Sequence, residues 1–215
     1  MLFIRRGLLA VWALTALFLL SLPVLNAQVT ATAPPVDQTY NNRWDFFGGA
    51  AYSHFNPGTG HIQATNLVGW NGQATAWFRP EIGLAVSARG YYGKVTLYQN
   101  AAAIGSSNIS EHAFLFGPDV RLWRTTQWNL GAHAMIGGTY GIFNNGLNGV
   151  SAQSVNLYQN QLAFIGAFGA SADRNLSPRL AVRLITDFQP SHYGKVTQKE
   201  FAGSLGIVYK FGTLH

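Results

Sequence analysis

Six of the eight acidic residues of this chain, Asp45, Glu111, Asp119, Asp173, Asp187 and Glu200, fall on one phase of a period-two alternation. Arg89, Arg121, Arg183 and Lys210 share that phase. Carboxylates beside guanidinium or ammonium groups support two kinds of chemistry. They form fixed ion pairs that fill a narrow interior, or they exchange partners and open a path for ions. An unpaired buried charge costs several kcal/mol, so pairing is expected, with each of the four bases holding at least one acid. His133 lies on the same phase near Asp119 and Arg121, but no metal-like spacing surrounds it, and a hydrogen-bonded interior histidine is expected. Ser53-His54 and Ser191-His192 set a nucleophile type beside a base type. Neighbours on a strand point to opposite faces, so neither pair forms a nucleophile and its base by itself. With no cysteine, the chain has no disulfide, thiolate metal site or lipoprotein anchor. No catalytic residue, metal or cofactor is expected.

These charges need an element that puts them all on one side, and an alternating strand does so. Eight such segments are legible: Trp44–His54, Leu67–Phe78, Ile82–Tyr92, Glu111–Leu122, Trp128–Tyr140, Gln161–Asp173, Leu180–Gln189 and a closing strand from Glu200 to Phe211. The closing strand is the clearest. Phe201, Gly203, Leu205, Ile207, Tyr209 and Phe211 alternate with Glu200, Ala202, Ser204, Gly206, Val208 and Lys210. A charge facing lipid near the midplane costs about 2–4 kcal/mol, so the charged phase must be the interior one. Pro118 forfeits a ladder donor and is expected at a bulge or a locally open position. Arg79–Glu81, Trp123–Gln127 and Arg174–Arg179 are short connections, whereas His54–Asn66, Gly93–Ser110, Gly141–Asn160 and Pro190–Lys199 are long. The loop Asn144-Asn145-Gly146-Leu147-Asn148-Gly149 is polar and uncharged, suited to solvent or to a surface ligand.

Arg5 and Arg6 precede an apolar run from Gly7 to Leu20 and a small-residue site at Ala27, which predicts a secretory signal peptide over 1–27. Gln28 to Asn42, with Pro34-Pro35, reads as a flexible periplasmic tail over 28–42. The barrel follows over 43–212, and a short C-terminal tail over 213–215. Hydrophobic residues are 48% of the chain and charged residues only 10%. That apolar content is spread by alternation instead of being gathered into a membrane helix. Loss of residues 1–27 lowers the formal charge from +6 to +4, too little to indicate nucleic acid.

The span Ser204-Leu205-Gly206-Ile207-Val208-Tyr209-Lys210-Phe211 resembles the C-terminal insertion signal of bacterial outer-membrane β-barrels, with Ser204, Gly206, Tyr209 and Phe211 as its marked positions. With phrases such as Phe46-Phe47-Gly48-Gly49 and Gly69-Trp70-Asn71-Gly72, the chain resembles small porin-family, OmpA-type outer-membrane barrels, including the sort common in Acidobacteria. The resemblance implies an all-β, eight-stranded, antiparallel, up-and-down transmembrane barrel in a bacterial outer membrane. It also implies outer-membrane lipids and lipopolysaccharide, periplasmic chaperones and the barrel insertion machinery as partners, with a monomer favoured. The expected role is structural or surface-interacting, with the lumen plugged by ion pairs. A narrow porin or gated channel is the alternative. The second alternative is a lipid-modifying enzyme, since the Ser/His pairs resemble the machinery of lipid A deacylases. A soluble lipocalin-like barrel would reverse the polarity, with apolar residues inside.

Overall fold

The computed structural model describes residues 40–58, 64–97, 104–193 and 196–214. The expected signal peptide over 1–27, and all of the tail over 28–42 except its last three residues, lie outside them. Eight strands form: β1 (Trp44–Phe55), β2 (Thr65–Trp77), β3 (Ile82–Thr96), β4 (Ser106–Arg124), β5 (Trp128–Asn145), β6 (Gln161–Asn175), β7 (Leu180–Tyr193) and β8 (Val196–Phe211). Each pairs antiparallel with its neighbour in sequence, and β1 pairs with β8 to close the barrel. Closure leaves no ladder edge, which a strand protein needs in hydrocarbon.

The outer face carries Val68, Trp70, Phe114, Phe116, Leu162, Phe164 and Phe201, all exposed, and all ten of the expected interior charges are buried. A one-residue slip of any strand would exchange these sets, so the alternation fixes the register. At the end with short turns, Phe46 and Phe211 stack with ring centroids 5.1 Å apart, and Trp44 lies 6.5 Å from Phe211. This end is periplasmic in outer-membrane barrels. Its turns are tied by Phe78 N–H to Ile82 O (3.0 Å), Thr125 N–H to Trp128 O (2.8 Å) and Leu176 N–H to Leu180 O (2.9 Å).

The strands run further outward than the apolar alternation predicts. The main correction concerns Pro190–Lys199, expected as a long loop. Pro190 instead pairs with Lys199 and Tyr193 with Val196, so only residues 194 and 195 separate β7 from β8. A proline loses its donor but keeps its acceptor, and toward β6 the ladder skips from Ile165↔Ser191 to Phe168↔Phe188. Pro118 sits in a similar gap, between Phe116↔Ile136 and Asp119↔His133. The register is the same on both sides of it, so the position is open and not bulged. Similarly, Asn144 and Asn145 of the expected third loop belong to β5.

Above the level of Tyr52, Tyr92 and Tyr140 the two faces exchange polarity. Outward positions become Asn66, Lys94, Thr96, Asn108, Asn144, Thr197 and Lys199, and inward positions become largely apolar, with Phe55, Leu67, Val95, Ile109, Phe143 and Tyr193 buried beside the polar Ser107, Gln198 and Glu200. An outer face this polar suits water, and the apolar side chains behind it build a core. The loop after β5 folds into that core: Leu147, Leu157 and Tyr158 pack with Phe55, Phe143 and Tyr193. A 3-10 helix at Ala152–Val155, a bridge from Gly58 to Leu157 and a hydrogen bond from Tyr158 N–H to Pro57 O (3.1 Å) hold the loop there.

Candidate functional site

Buried polar and charged groups gather in the lumen, which divides into three levels. At the periplasmic level Arg183 faces Asp173 across the β6–β7 pair and binds it through two bonds, Nε to Oδ1 at 2.6 Å and Nη2 to Oδ2 at 2.8 Å. Its Nη2 also reaches Asp45 Oδ2 at 3.0 Å, and Arg121 Nη2 meets that oxygen at 3.2 Å. Asn42 Nδ2 donates to Asp45 Oδ1 at 2.5 Å. Such forked, charge-assisted bonds are the geometry in which a buried carboxylate is best compensated.

Arg121 is held by rings as well as by charge. Its guanidinium lies 3.6 Å from the centroid of the Trp77 ring and 5.1 Å from that of Tyr40. Tyr40 is fully buried, with its hydroxyl 2.9 Å from the carbonyls of Thr125 and Trp128 and accepting from Asn175 Nδ2 at 2.7 Å. Burial raises the Tyr40 phenol above its ordinary pKa, so it stays a neutral donor. Tyr40 and Asn42, at the end of the tail expected over 28–42, thus pack against the barrel and are not free there. Lys210 departs from expectation too. Among the described residues it makes no ion pair; its Nζ donates to Asn175 Oδ1 at 2.7 Å and lies 4.7 Å from the Tyr40 ring centroid.

At the middle level Arg89 Nη1 meets Asp187 Oδ2 at 2.5 Å, and His133 Nε2 meets Asp187 Oδ1 at 2.5 Å. Arg89 also donates to Ser87 Oγ (3.0 Å) and Gln189 Oε1 (3.1 Å). Gly169 makes this possible. A Cβ there would fall 2.1 Å from Asp187 Oδ1 and 2.9 Å from His133 Nε2. Among the described residues Asp119 has no basic partner within ion-pair reach, and it accepts instead from Gln73 Nε2 and Thr75 Oγ1, both at 3.3 Å.

At the outer level the expectation of pairing fails. Glu111 and Glu200 are fully buried with no cation against them among the described residues. Glu111 Oε1 accepts from Thr139 Oγ1 (2.7 Å) and Tyr193 hydroxyl (2.8 Å), and its Oε2 has no partner among the described residues. Glu200 accepts from Ser191 Oγ and, at 3.5 Å, from Ser53 Oγ. The four bases all lie deeper in the barrel, so these acids rely on hydroxyl donors. Both serines of the Ser/His pairs therefore point inward to Glu200. His54 and His192 point outward and contact Asn66 Oδ1 (2.8 Å) and Thr197 Oγ1 (2.9 Å). Among the described residues no group of three or more His, Cys, Asp or Glu is placed to hold a metal ion.

The expected insertion-signal residues lie on β8. Tyr209 and Phe211 are outward with ring centroids 6.1 Å apart, and Ser204 accepts inward from Asn71 Nδ2 at 3.1 Å. Gly206 has a steric cause. It faces Gly49 on β1, and a Cβ on it would fall 2.2 Å from Gly48 O.

No protein-family model matches the chain, and no curated protein matches it in sequence. Solved structures do. Ail, the attachment invasion locus protein of Yersinia pestis, matches at 17% identity over 80% of this chain and 99% of its own, with a TM-score of 0.55. Neisserial surface protein A matches at 13% over 78% and 97%, TM-score 0.53. The outer membrane protein OprG of Pseudomonas aeruginosa matches at 12% over 81% and 99%, TM-score 0.56. The chain has the fold of these small barrels. With its apolar outer band and buried charges, it is a transmembrane β-barrel of the bacterial outer-membrane kind.

Proposed function

We propose that this chain is an integral outer-membrane protein with a structural or surface-interaction role, its lumen closed to solutes. The observation that carries this reading is the two-ended filling of the lumen. Arg121 lies between the Trp77 and Tyr40 rings below, and Phe55, Phe143, Tyr158 and Tyr193 interlock above, with centroids 5.3–6.0 Å apart. An eight-stranded interior is only wide enough for side chains, and aromatic packing at the mouth leaves no room for a water column. The loop 146–160 is then one surface that the barrel offers outside. Of the proteins it resembles in fold, Ail is by name an attachment invasion locus protein and Neisserial surface protein A a surface protein, in keeping with such a role. Lipopolysaccharide and outer-membrane lipids around the band, and recognition of Tyr209 and Phe211 by the insertion machinery, complete the proposed partners. The monomer is favoured because the barrel closes on itself.

A narrow gated channel is the second reading. It is favoured by buried polar atoms without partners along the lumen, Arg89 Nη2, Gln73 Oε1 and Glu111 Oε2, which suit a thread of water. The outward histidines and inward serines argue against the lipid-modifying alternative. Planar-bilayer recording separates the first two. The closed reading expects wild-type protein to conduct little or nothing, and large steady single-channel currents would replace it with the channel.

A further inference from the structure

Among the described residues the cations outside the lumen divide by type, with Arg43, Arg79, Arg179, Lys94 and Lys199 exposed and Arg124 and Arg174 half-buried. At the periplasmic rim stand Arg43, Arg79, Arg124, Arg174 and Arg179, and beyond the outer girdle stand Lys94 and Lys199. The only acid at that rim among the described residues is Glu81, which pairs with Arg124. Arg174 stacks on Trp128, 4.9 Å from the ring centroid, and donates to Gln127 Oε1 at 2.9 Å. Arg43, Arg79 and Arg179 are exposed and have no side-chain partner among the described residues. They flank Trp44, Phe78, Trp123 and Phe211, the outward aromatics that mark where hydrocarbon gives way to headgroups.

We propose that this rim binds anionic phospholipid headgroups of the periplasmic leaflet, the guanidinium groups taking the phosphodiester oxygens. Arginine is suited to this because its planar fork meets two phosphate oxygens at once, which a lysine ammonium does not. The excess of five arginines over one glutamate selects a headgroup of net negative charge, since a zwitterionic one brings its own ammonium. Continuity with the aromatic girdle and the apolar band points to a lipid as the source of the phosphate, because acyl chains have a surface to lie on beside it. The proposal rests on the reading of the chain as a membrane-inserted barrel.

The test uses the full chain in nanodiscs of phosphatidylethanolamine with phosphatidylglycerol. Lipid retained after transfer to detergent is counted by native mass spectrometry, and heat-modifiable migration on gels reports barrel closure separately. Wild type should retain phosphatidylglycerol over phosphatidylethanolamine, and Arg79→Ser/Arg179→Ser should lose about fivefold of that preference for each arginine at low salt. The Arg79→Lys/Arg179→Lys protein should keep part of it. Equal retention of the two lipids by wild type, or an unchanged preference in the serine variant, would overturn the proposal. So would displacement by soluble glycerophosphoglycerol at the same concentration as the lipid, which would make the site one for free phosphodiesters. A wild-type protein that never closes or inserts would overturn the membrane reading itself, and the gel distinguishes that failure from the others.

Discussion

Below the Tyr52–Tyr92–Tyr140 level this barrel is charged inside and apolar outside, and above it the same strands are mainly apolar inside, with no cation paired there among the described residues, and polar outside. On β3 the outward series runs Leu84, Val86, Ala88, then Tyr92, Lys94, Thr96, and the inward one Ser87, Arg89, then Tyr91, Val95. The phase never changes. What changes is the solvent outside. Lipid rewards apolar side chains on the outer face and makes outward charge costly, so polar groups are placed inside and must compensate one another there. Water reverses both preferences, and the collar is stabilised like a soluble barrel by the hydrophobic burial of Phe55, Phe143 and Tyr193. The lipocalin-like polarity set against the membrane barrel at the outset thus occurs in the same molecule, one storey up.

The sharpest way to break the comparison is to attack the charged storey at its most connected residue. Arg183 binds Asp173 through two bonds and also reaches Asp45, all three buried. Arg183→Ser leaves Asp173 without a cation and Asp45 with Arg121 alone. The expected loss is about 3–5 kcal/mol, the scale for an uncompensated buried charge, read by urea unfolding of the barrel in detergent. A loss below about 1 kcal/mol, the scale of an exposed pair, would show that the lower lumen is wet.

The boundary between the storeys can be located with one substitution carried to two heights on β3. Val86 is outward and 54% exposed, near mid-band, and Thr96 is outward beyond the girdle. Val86→Lys should cost about 2–4 kcal/mol of folding free energy in lipid vesicles, whereas Thr96→Lys should stay within about 0.5 kcal/mol. Equal costs at both positions would place the girdle elsewhere and undo the assignment of the collar to water.

The lower storey was legible in the sequence because there the alternation and the solvent agree. Outward Phe114, Phe116 and Val120 mark β4 as plainly as inward Asp119 and Arg121 do. The collar was not, because its outward residues are Asn, Thr, Ser and Lys, the composition of a loop, and Pro190 looks like a strand end. Its inward Phe143 and Tyr193 carry the alternation, but two apolar residues amid polar ones give no strand signal by themselves. The ten interior charges could be placed on a phase without a partner being assignable. Arg183–Asp173 follows from a register between adjacent strands, but Arg183–Asp45 and Arg89–Asp187 cross the lumen, and only the closed barrel determines them. Tyr40 was beyond reach for a similar reason: nothing local ties a residue before the first strand to the turn at Thr125.

The mildest test asks whether Glu111 belongs to the lower storey or to the collar. It is buried and charged by residue type, like Asp173, yet its neighbours are Thr139, Tyr193 and Tyr91, and no arginine or lysine is paired with it among the described residues. Removing a carboxylate from an ion pair strands the cation; removing one held by hydroxyls strands nothing charged. Glu111→Gln keeps the shape and an acceptor oxygen for Thr139 and Tyr193, so the barrel should change by less than about 1 kcal/mol, the worth of an ordinary hydrogen bond, and in the direction of greater stability where the lone Oε2 was a burden. Asp173→Asn, the matching change below, should cost several times more because Arg183 then loses its forked partner. If urea unfolding finds the two substitutions equally damaging, Glu111 is neutralising a base through the lumen, and the charge layer extends to the mouth. If Glu111→Gln is neutral while Asp173→Asn is not, the division at the outer girdle governs the lumen as it governs the surface.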